Sequence, residues 1–444
     1  MITSEFMTIN NWDIAIKGGI ILTMSEKMDI LRNHLIGIKD GKIIHIGNEE
    51  AAYNAGCTIE AGDCLVMPGL VNTHTHLPMV IFRGMADDLP LQDWLNNFIF
   101  PAEKRFINKE AVYSGALLAM AEMILSGTTT FCDGYFYEDA VGAAAIKAGM
   151  RAVIAQGFLD FPTPDNPEPA KKSVVAERFI NRWHNAHPLI SPALFCHAPY
   201  TCSPQTLIEI KKIARKTGVL YFTHLLENKD ESQDIEKRYG RAPVQHLDNL
   251  GVLDGKTIAV HCNWLADRDL DILAERGVAV SHNPESSMKL AAGVAPVPAL
   301  LARRITCGLG TDGCASNNNL DMFGEMNTAA KLHKIAAMDP TVMNAETVVT
   351  LATRGGAKTL GMADCIGSIE IGKDADIILL DMNKPHLTPL YNCYSQIVYA
   401  AGGADVKTSI IGGKIVMKDR KLLTIDIDEA MAEVRRIAKD IFPA

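Results

Sequence analysis

The chain has 444 residues, 48% of them hydrophobic and 21% charged, with a formal net charge of -9 at pH 7. Such a length and composition describe a soluble globular protein with a large core: two or three average domains, or one large barrel with an appendage. An acidic balance without clustered Lys and Arg excludes a nucleic-acid footprint and fits a small neutral or zwitterionic ligand better.

No apolar stretch approaches the ~18 residues of a transmembrane helix, and the N-terminus lacks the ordered regions of a secretory signal. MITSEF, ahead of Met7, is set aside as a leader. The ten cysteines are scattered without a C-x-x-C pair, which argues against a zinc ribbon or disulfide framework and for a reducing cytoplasm.

From Trp12 to Cys64 the sequence reads as short strands broken by turns, with Lys39-Asp40-Gly41 as a hairpin signal. The same style returns in GSIEIGKDADIILLDM and TSIIGGKIVMKDRKL near the end. Residues 8–66 and 365–444 are therefore expected to build one small β-sandwich from both chain ends, with a terminal helix. Between them, residues 67–364 alternate short β-type runs with amphipathic helical patterns, the mark of βα units. Eight strands are expected. The first is CLVMPGLVNT, and the others cover residues 128–133, 151–157, 190–196, 219–224, 257–262, 278–283 and 305–312. The class is α/β, a (β/α)8 TIM barrel.

Polar residues cluster at the C-terminal ends of those strands, where such a barrel builds its active site. His74 and His76 follow the first strand and His197 the fourth; His224 ends the fifth, His261 lies in the sixth, His282 ends the seventh and Asp312 the eighth. His74 and His76 share one face by strand alternation. Taken singly, each histidine is better explained as structural. Imidazoles and a carboxylate on so many strand ends, with His224-Leu-Leu-Glu227 among them, form the ligand set zinc prefers. Metal-dependent hydrolysis is the leading reading.

PGLVNTHTH, HLLE, VHCNWL, SHNPESSMKL and GLGTDGCASNNNLDMF resemble the amidohydrolase superfamily, in its nucleobase-deaminase and chlorohydrolase branch, over nearly the whole chain. The resemblance implies His74, His76, His224 and Asp312 as metal ligands, His261 as the residue that orients the attacking water, and Glu227 as the proton carrier. Two-metal relatives resemble one another in a carboxylated lysine at the end of strand four. LFCHAPY stands there instead, which implies one divalent ion, zinc before iron or manganese. Asp312 would take the water's proton, while Glu227 would protonate a ring nitrogen and then the departing ammonia. An aromatic amidine carbon such as C6 of adenine suits that division of labour.

FRGMADDLPLQDWLNNFIFPAEKRF resembles the 5′-methylthioadenosine/S-adenosylhomocysteine deaminases. That likeness implies ribose binding by Glu103, a pocket wall at Trp94 and a nucleoside contact at His197. The plainer reading makes Trp94 and Phe98, four residues apart, a buried helix face. Relatives that accept S-adenosylhomocysteine resemble one another in an arginine near the end of strand three, and Gln156 stands in the corresponding place. An amide pairs less strongly with a carboxylate than a guanidinium does. The expectation is a cytoplasmic deaminase of methylthioadenosine, with adenosine second and S-adenosylhomocysteine demoted, using no nucleic acid or membrane partner. A homo-oligomer is compatible with the resemblance. The alternatives are an s-triazine or chloro-aromatic hydrolase of the same fold, and a scaffold protein that has lost its chemistry.

Overall fold

The computed structural model describes residues 10–441 other than 49, 51 and 52, so the MITSEF leader lies outside the described residues. Eight parallel strands succeed one another in chain order: β1 (Leu70–Thr75), β2 (Thr128–Tyr135), β3 (Arg151–Phe158), β4 (Ile190–Cys196), β5 (Leu220–Leu225), β6 (Thr257–His261), β7 (Ala279–His282) and β8 (Cys307–Leu309). The ring closes between β1 and the segment around β8. The Thr73 hydroxyl donates to the Leu309 carbonyl at 2.9 Å, the Asn72 amide to Thr311 Oγ1 at 2.7 Å, and the Asp312 N–H to the His74 carbonyl at 3.0 Å. Closure thus sets the two ends of the site side by side. This is the expected TIM barrel.

The helix Pro204–Thr217 shows why the intervening segments fold as they do. Ser203 caps its first turn, Leu207, Ile210 and Ala214 recur on its buried face, and Gly218 ends it at φ +73°, a conformation that costs glycine little.

Two further sheets lie outside the barrel. A four-stranded one comes wholly from the first segment, namely Asn10–Lys17, His34–Lys39, Lys42–Asn48 and Tyr53–Glu60. Asp40 and Gly41 turn its hairpin with φ of +50° and +80°, the positive pair that a two-residue type I′ turn requires. A seven-stranded sheet joins both chain ends where Cys64–Pro68 pairs antiparallel with Ile377–Asp381. Ile14, Ile16, Ile36 and Ile38 of the first sheet pack against Ile21, Val66, Ile377 and Leu379 of the second. The alternate residues Leu65, Met67, Ile378 and Leu380 join the barrel's core. Both faces of these two strands are covered, which is why they read as unbroken apolar runs. Arg151, at the start of β3, donates to Asp376 at 2.7 Å and Asp374 at 2.9 Å across the same junction.

One expected strand is two. CLVMPGLVNT divides at Pro68-Gly69: Cys64–Pro68 belongs to the seven-stranded sheet and Leu70–Thr75 to the barrel. A Cβ on Gly69 would lie 2.1 Å from Thr129 Oγ1, so the crossing admits only glycine.

Candidate active site

The C-terminal ends of β1, β5, β6 and β8 bring six side chains together. His74, His76 and His224 form one group, and Glu227, His261 and Asp312 another; within each, ligand atoms lie within 4.8 Å of one another. His74 Nε2 is 3.2 Å from His224 Nε2 and 3.7 Å from Asp312 Oδ1, and His76 Nε2 is 3.4 Å from that oxygen. A tetrahedral ion bound at about 2.0–2.1 Å spaces its ligand atoms roughly 3.3–3.4 Å apart. Three imidazoles and one carboxylate at these separations fit one divalent cation.

The supporting contacts aim those atoms. His76 Nδ1 donates to the Gly134 carbonyl at 2.6 Å, which fixes its hydrogen there and leaves the Nε2 lone pair facing inward. Asp312 accepts from the Gly313 N–H on Oδ1 at 2.8 Å and from Ser286 on Oδ2 at 2.6 Å. Positive φ values at Leu226 (+52°), His261 (+74°) and Asp312 (+62°) mark backbone strain concentrated at this site.

Electrostatics separates the roles. Burial, with the neighbouring imidazoles, lowers His261 to about 3; burial lowers His74 to about 4. Burial raises the Asp312 carboxyl, but the close imidazoles of His74, His261 and His76 outweigh it and hold the group well below the usual carboxylate range. Glu227 goes the other way. Burial first, then the negative charges of Asp312 and Glu231, push it well above the usual range. The two carboxyls are thus pushed in opposite directions, and Glu227 Oε1 lies 3.9 Å from His261 Nε2.

All of the clustered groups but His74 line a cavity of about 710 Å³, its mouth included, whose polar lining is led by His76, Glu103, His197, His224, Glu227, His261 and Asp312. Leu91, Trp94, Leu95, Ile99, Phe136 and Leu159 supply apolar wall. The segment from Leu91 to Phe106 is helical with a π-type turn at Leu95–Ile99. Its extra residue places Ile99, not Phe98, below Trp94. Trp94 is 5% exposed and Phe98 is 41% exposed, so the two do not share a buried face. Glu103 follows on the buried side and accepts from the Tyr135 hydroxyl at 2.7 Å. His197 is held at Nδ1 by Thr201 Oγ1 at 2.9 Å, and burial with nearby imidazoles lowers it to about 3.

Gln156 is not brought to the cavity. Its amide donates to Asp165 at 2.8 Å and to the Gly157 carbonyl at 3.2 Å, while Gly157 lines the cavity. Adjacent strand residues point to opposite faces, so an expectation built on the end of β3 was one residue out of phase. His282 also stands apart, its Nε2 3.1 Å from that of buried His333. The sequence does not single out Tyr135, Ser286, Glu231 or Asn263 as site residues; only Glu231, one helical turn beyond Glu227, carries a local signal. Among the described residues, no helix is long and apolar enough to cross a membrane.

The model of the Amidohydrolase family matches residues 65–416. A Syntrophobacter fumaroxidans protein named 5-methylthioadenosine/S-adenosylhomocysteine deaminase is 50% identical, over 97% of this chain and 99% of its own. A Methanosarcina mazei protein named 5′-deoxyadenosine deaminase is 44% identical, over 97% and 98%. The structure of an adenosine deaminase from Xanthomonas campestris with bound zinc superposes with a TM-score of 0.96 at 37% identity, covering 98% of this chain and 100% of that one. The chain belongs to the amidohydrolase family.

Proposed function

We propose that this amidohydrolase is a zinc-dependent purine nucleoside deaminase. It exchanges the amino group at C6 of a 5′-modified adenosine for the oxygen of water and releases ammonia, with methylthioadenosine preferred over adenosine and S-adenosylhomocysteine. The observation that carries this reading is one cavity lined both by Glu227, His76, His224, His261 and Asp312 and by the buried Glu103.

His74, His76, His224 and Asp312 would hold the ion, which would supply a Lewis acid that lowers the pKa of water beside it toward ~7. Asp312 accepts the proton of the attacking water, and His261 orients that water toward C6. Glu227 donates its proton to N1, making C6 electrophilic; it then takes the proton of the new C6 hydroxyl and passes it to the C6 amino group, whose C–N bond breaks to release ammonia, and the proton held by Asp312 returns to Glu227. His197 contacts the nucleoside, Trp94 walls it, and Glu103 accepts hydrogen bonds from the ribose hydroxyls with a carboxylate suited to two neighbouring donors.

Selectivity rests on the lining rather than on Gln156. Among the described residues lining the cavity there is no Lys or Arg, so an amino-acid carboxylate would enter without a cationic partner, whereas a methylthio or methyl group meets apolar wall. A triazine or chloro-aromatic hydrolase has no use for the Glu103–Tyr135 pair.

An ultraviolet assay of the zinc-loaded protein on methylthioadenosine, 5′-deoxyadenosine, adenosine and S-adenosylhomocysteine tests the proposal. Rapid loss of the adenine chromophore with the first two and slow loss with the last is expected. Faster conversion of S-adenosylhomocysteine would overturn the preference; silence on all four, with zinc bound, would overturn the deaminase reading.

A further inference from the structure

The Glu227 peptide is gripped on both sides by side chains that take no part in the chemistry described above. Its N–H donates to Glu231 Oε2 at 3.2 Å, and its carbonyl accepts from Asn263 Nδ2 at 2.8 Å. Asn263 is itself tied to Ser287 Oγ at 3.1 Å, and its own N–H donates to the Leu226 carbonyl at 3.0 Å. Glu231, Asn263 and Ser287 are all buried, at 3%, 5% and 2% exposure. The preceding residue, Leu226, is in the left-handed region, which a branched aliphatic side chain does not choose unaided. The chain leaves β5 by a strained step, and Glu227 is where that step is fixed.

We propose that Glu231 and Asn263 are positioning residues that clamp the Glu227 peptide and so aim its carboxyl across the cavity at the substrate's ring nitrogen. The inference rests on the reading of Glu227 as proton carrier. A misplacement of about 1 Å in a reacting group costs as much as ~10²-fold in rate, so a clamp on both peptide groups acts on turnover rather than on substrate affinity. A plainer role is available for Glu231. It stands at the third position of the helix Lys229–Tyr239, its N–H is capped by Asn228 at 2.9 Å, and a glutamate there completes a capping arrangement. Capping alone would act on stability and be indifferent to what stands at position 227.

The test is a cycle of Glu231→Leu, Glu231→Gln and Asn263→Ala in the native and Glu227→Gln backgrounds, with kcat, KM, zinc content and melting temperature measured for each zinc-loaded protein. Burial pushes the Glu231 carboxyl up to about 7, so glutamine, neutral and of the same shape with an acceptor oxygen, is its fair mimic. Glu231→Leu is expected to lower kcat ~10–100-fold at unchanged KM and zinc content, Glu231→Gln to stay within ~3-fold of native, and Asn263→Ala to behave like Glu231→Leu. In the Glu227→Gln background the same changes are expected to cost nothing further. An equal loss in both backgrounds, or a glutamine variant as slow as the leucine one, would overturn the positioning role and leave capping. Native kcat in Glu227→Gln alone would instead remove the proton-carrier reading. Asn263→Ala keeps the proposal testable where Glu231→Leu does not fold.

Discussion

The Tyr135 hydroxyl donates to Glu103 at 2.7 Å inside the cavity, from β2 to the helix that follows β1. Burial pushes the Glu103 carboxyl up to about 7, and this hydrogen bond works against the rise. On the proposed reading, the ionised form is the one that would accept from two ribose hydroxyls. As pH rises through about 7 the acid gives way to carboxylate, so KM for a ribonucleoside is expected to fall across that range. Tyr135→Phe removes the opposing bond and should move the inflection to higher pH. A 2′,3′-dideoxy substrate, which offers no hydroxyls, should show none. A KM independent of pH between 6 and 8 for the ribonucleoside would remove Glu103 from ribose binding.

Glu227 and His224 lie three residues apart, yet their loss should have different consequences. Glu227→Gln keeps the shape of a protonated carboxyl and leaves the four-ligand cluster intact, so zinc content should be native while kcat falls ~10²–10⁴-fold, the usual worth of a general acid. His224→Ala takes away an imidazole whose Nε2 is 3.2 Å from that of His74, and should lose zinc and turnover together. Zinc analysis of purified protein alongside kcat separates the two. A Glu227→Gln protein that lost its zinc would make Glu227 a ligand instead.

The barrel was legible because each of its strands is a local run of β-branched and apolar residues, and the clustered histidines stand at or just beyond the ends of those runs. Where strand character continued across a change of sheet, as at Pro68-Gly69, composition gave no break; the break is set by Thr129, which leaves no room for a Cβ. The contacts of Tyr135 with Glu103, and of Ser286 with Asp312, join residues 32 and 26 positions apart. Neither pairing has a local pattern, since each exists only once the barrel has closed. The Phe98 reading failed for a different reason: one π-type turn moves every later residue of the helix by a position, and no propensity marks where it falls.

Ser286 donates to Asp312 Oδ2 at 2.6 Å, while Asp312 Oδ1 faces His74 and His76. The hydroxyl therefore fixes which carboxylate oxygen is turned toward the two imidazoles, the oxygen that on the proposed reading would meet the ion. Residues that orient a ligand in this way are worth ~10–100-fold in metal affinity, and Ser286→Ala is expected to weaken zinc binding by that factor in a chelator competition. Ser286→Thr, which keeps the hydroxyl, should lose less. Unchanged affinity in the alanine variant would mean that the Gly313 N–H on Oδ1 suffices to hold the carboxylate.

Gln156 offers the sharpest contrast between a reading by position and a reading by geometry. An amide turned into the cavity would influence which 5′ substituent is accepted. The amide observed is turned to Asp165, which also accepts from the Tyr137 N–H at 2.9 Å and from the Thr163 hydroxyl at 2.9 Å. Gln156→Ala would leave that carboxylate with two of its three donors and remove a half-buried hydrogen bond to it, worth about 1.5–3 kcal/mol, together with the bond to the Gly157 carbonyl. The expected result is a lower denaturant midpoint with an unchanged slope, and a ratio of kcat/KM between methylthioadenosine and S-adenosylhomocysteine within ~2-fold of native, since less than about 0.5 kcal/mol of discrimination would then involve this side chain. A ratio shifted tenfold at native stability would place Gln156 among the substrate contacts after all, and would require β3 to turn its side chain toward the cavity once substrate is bound.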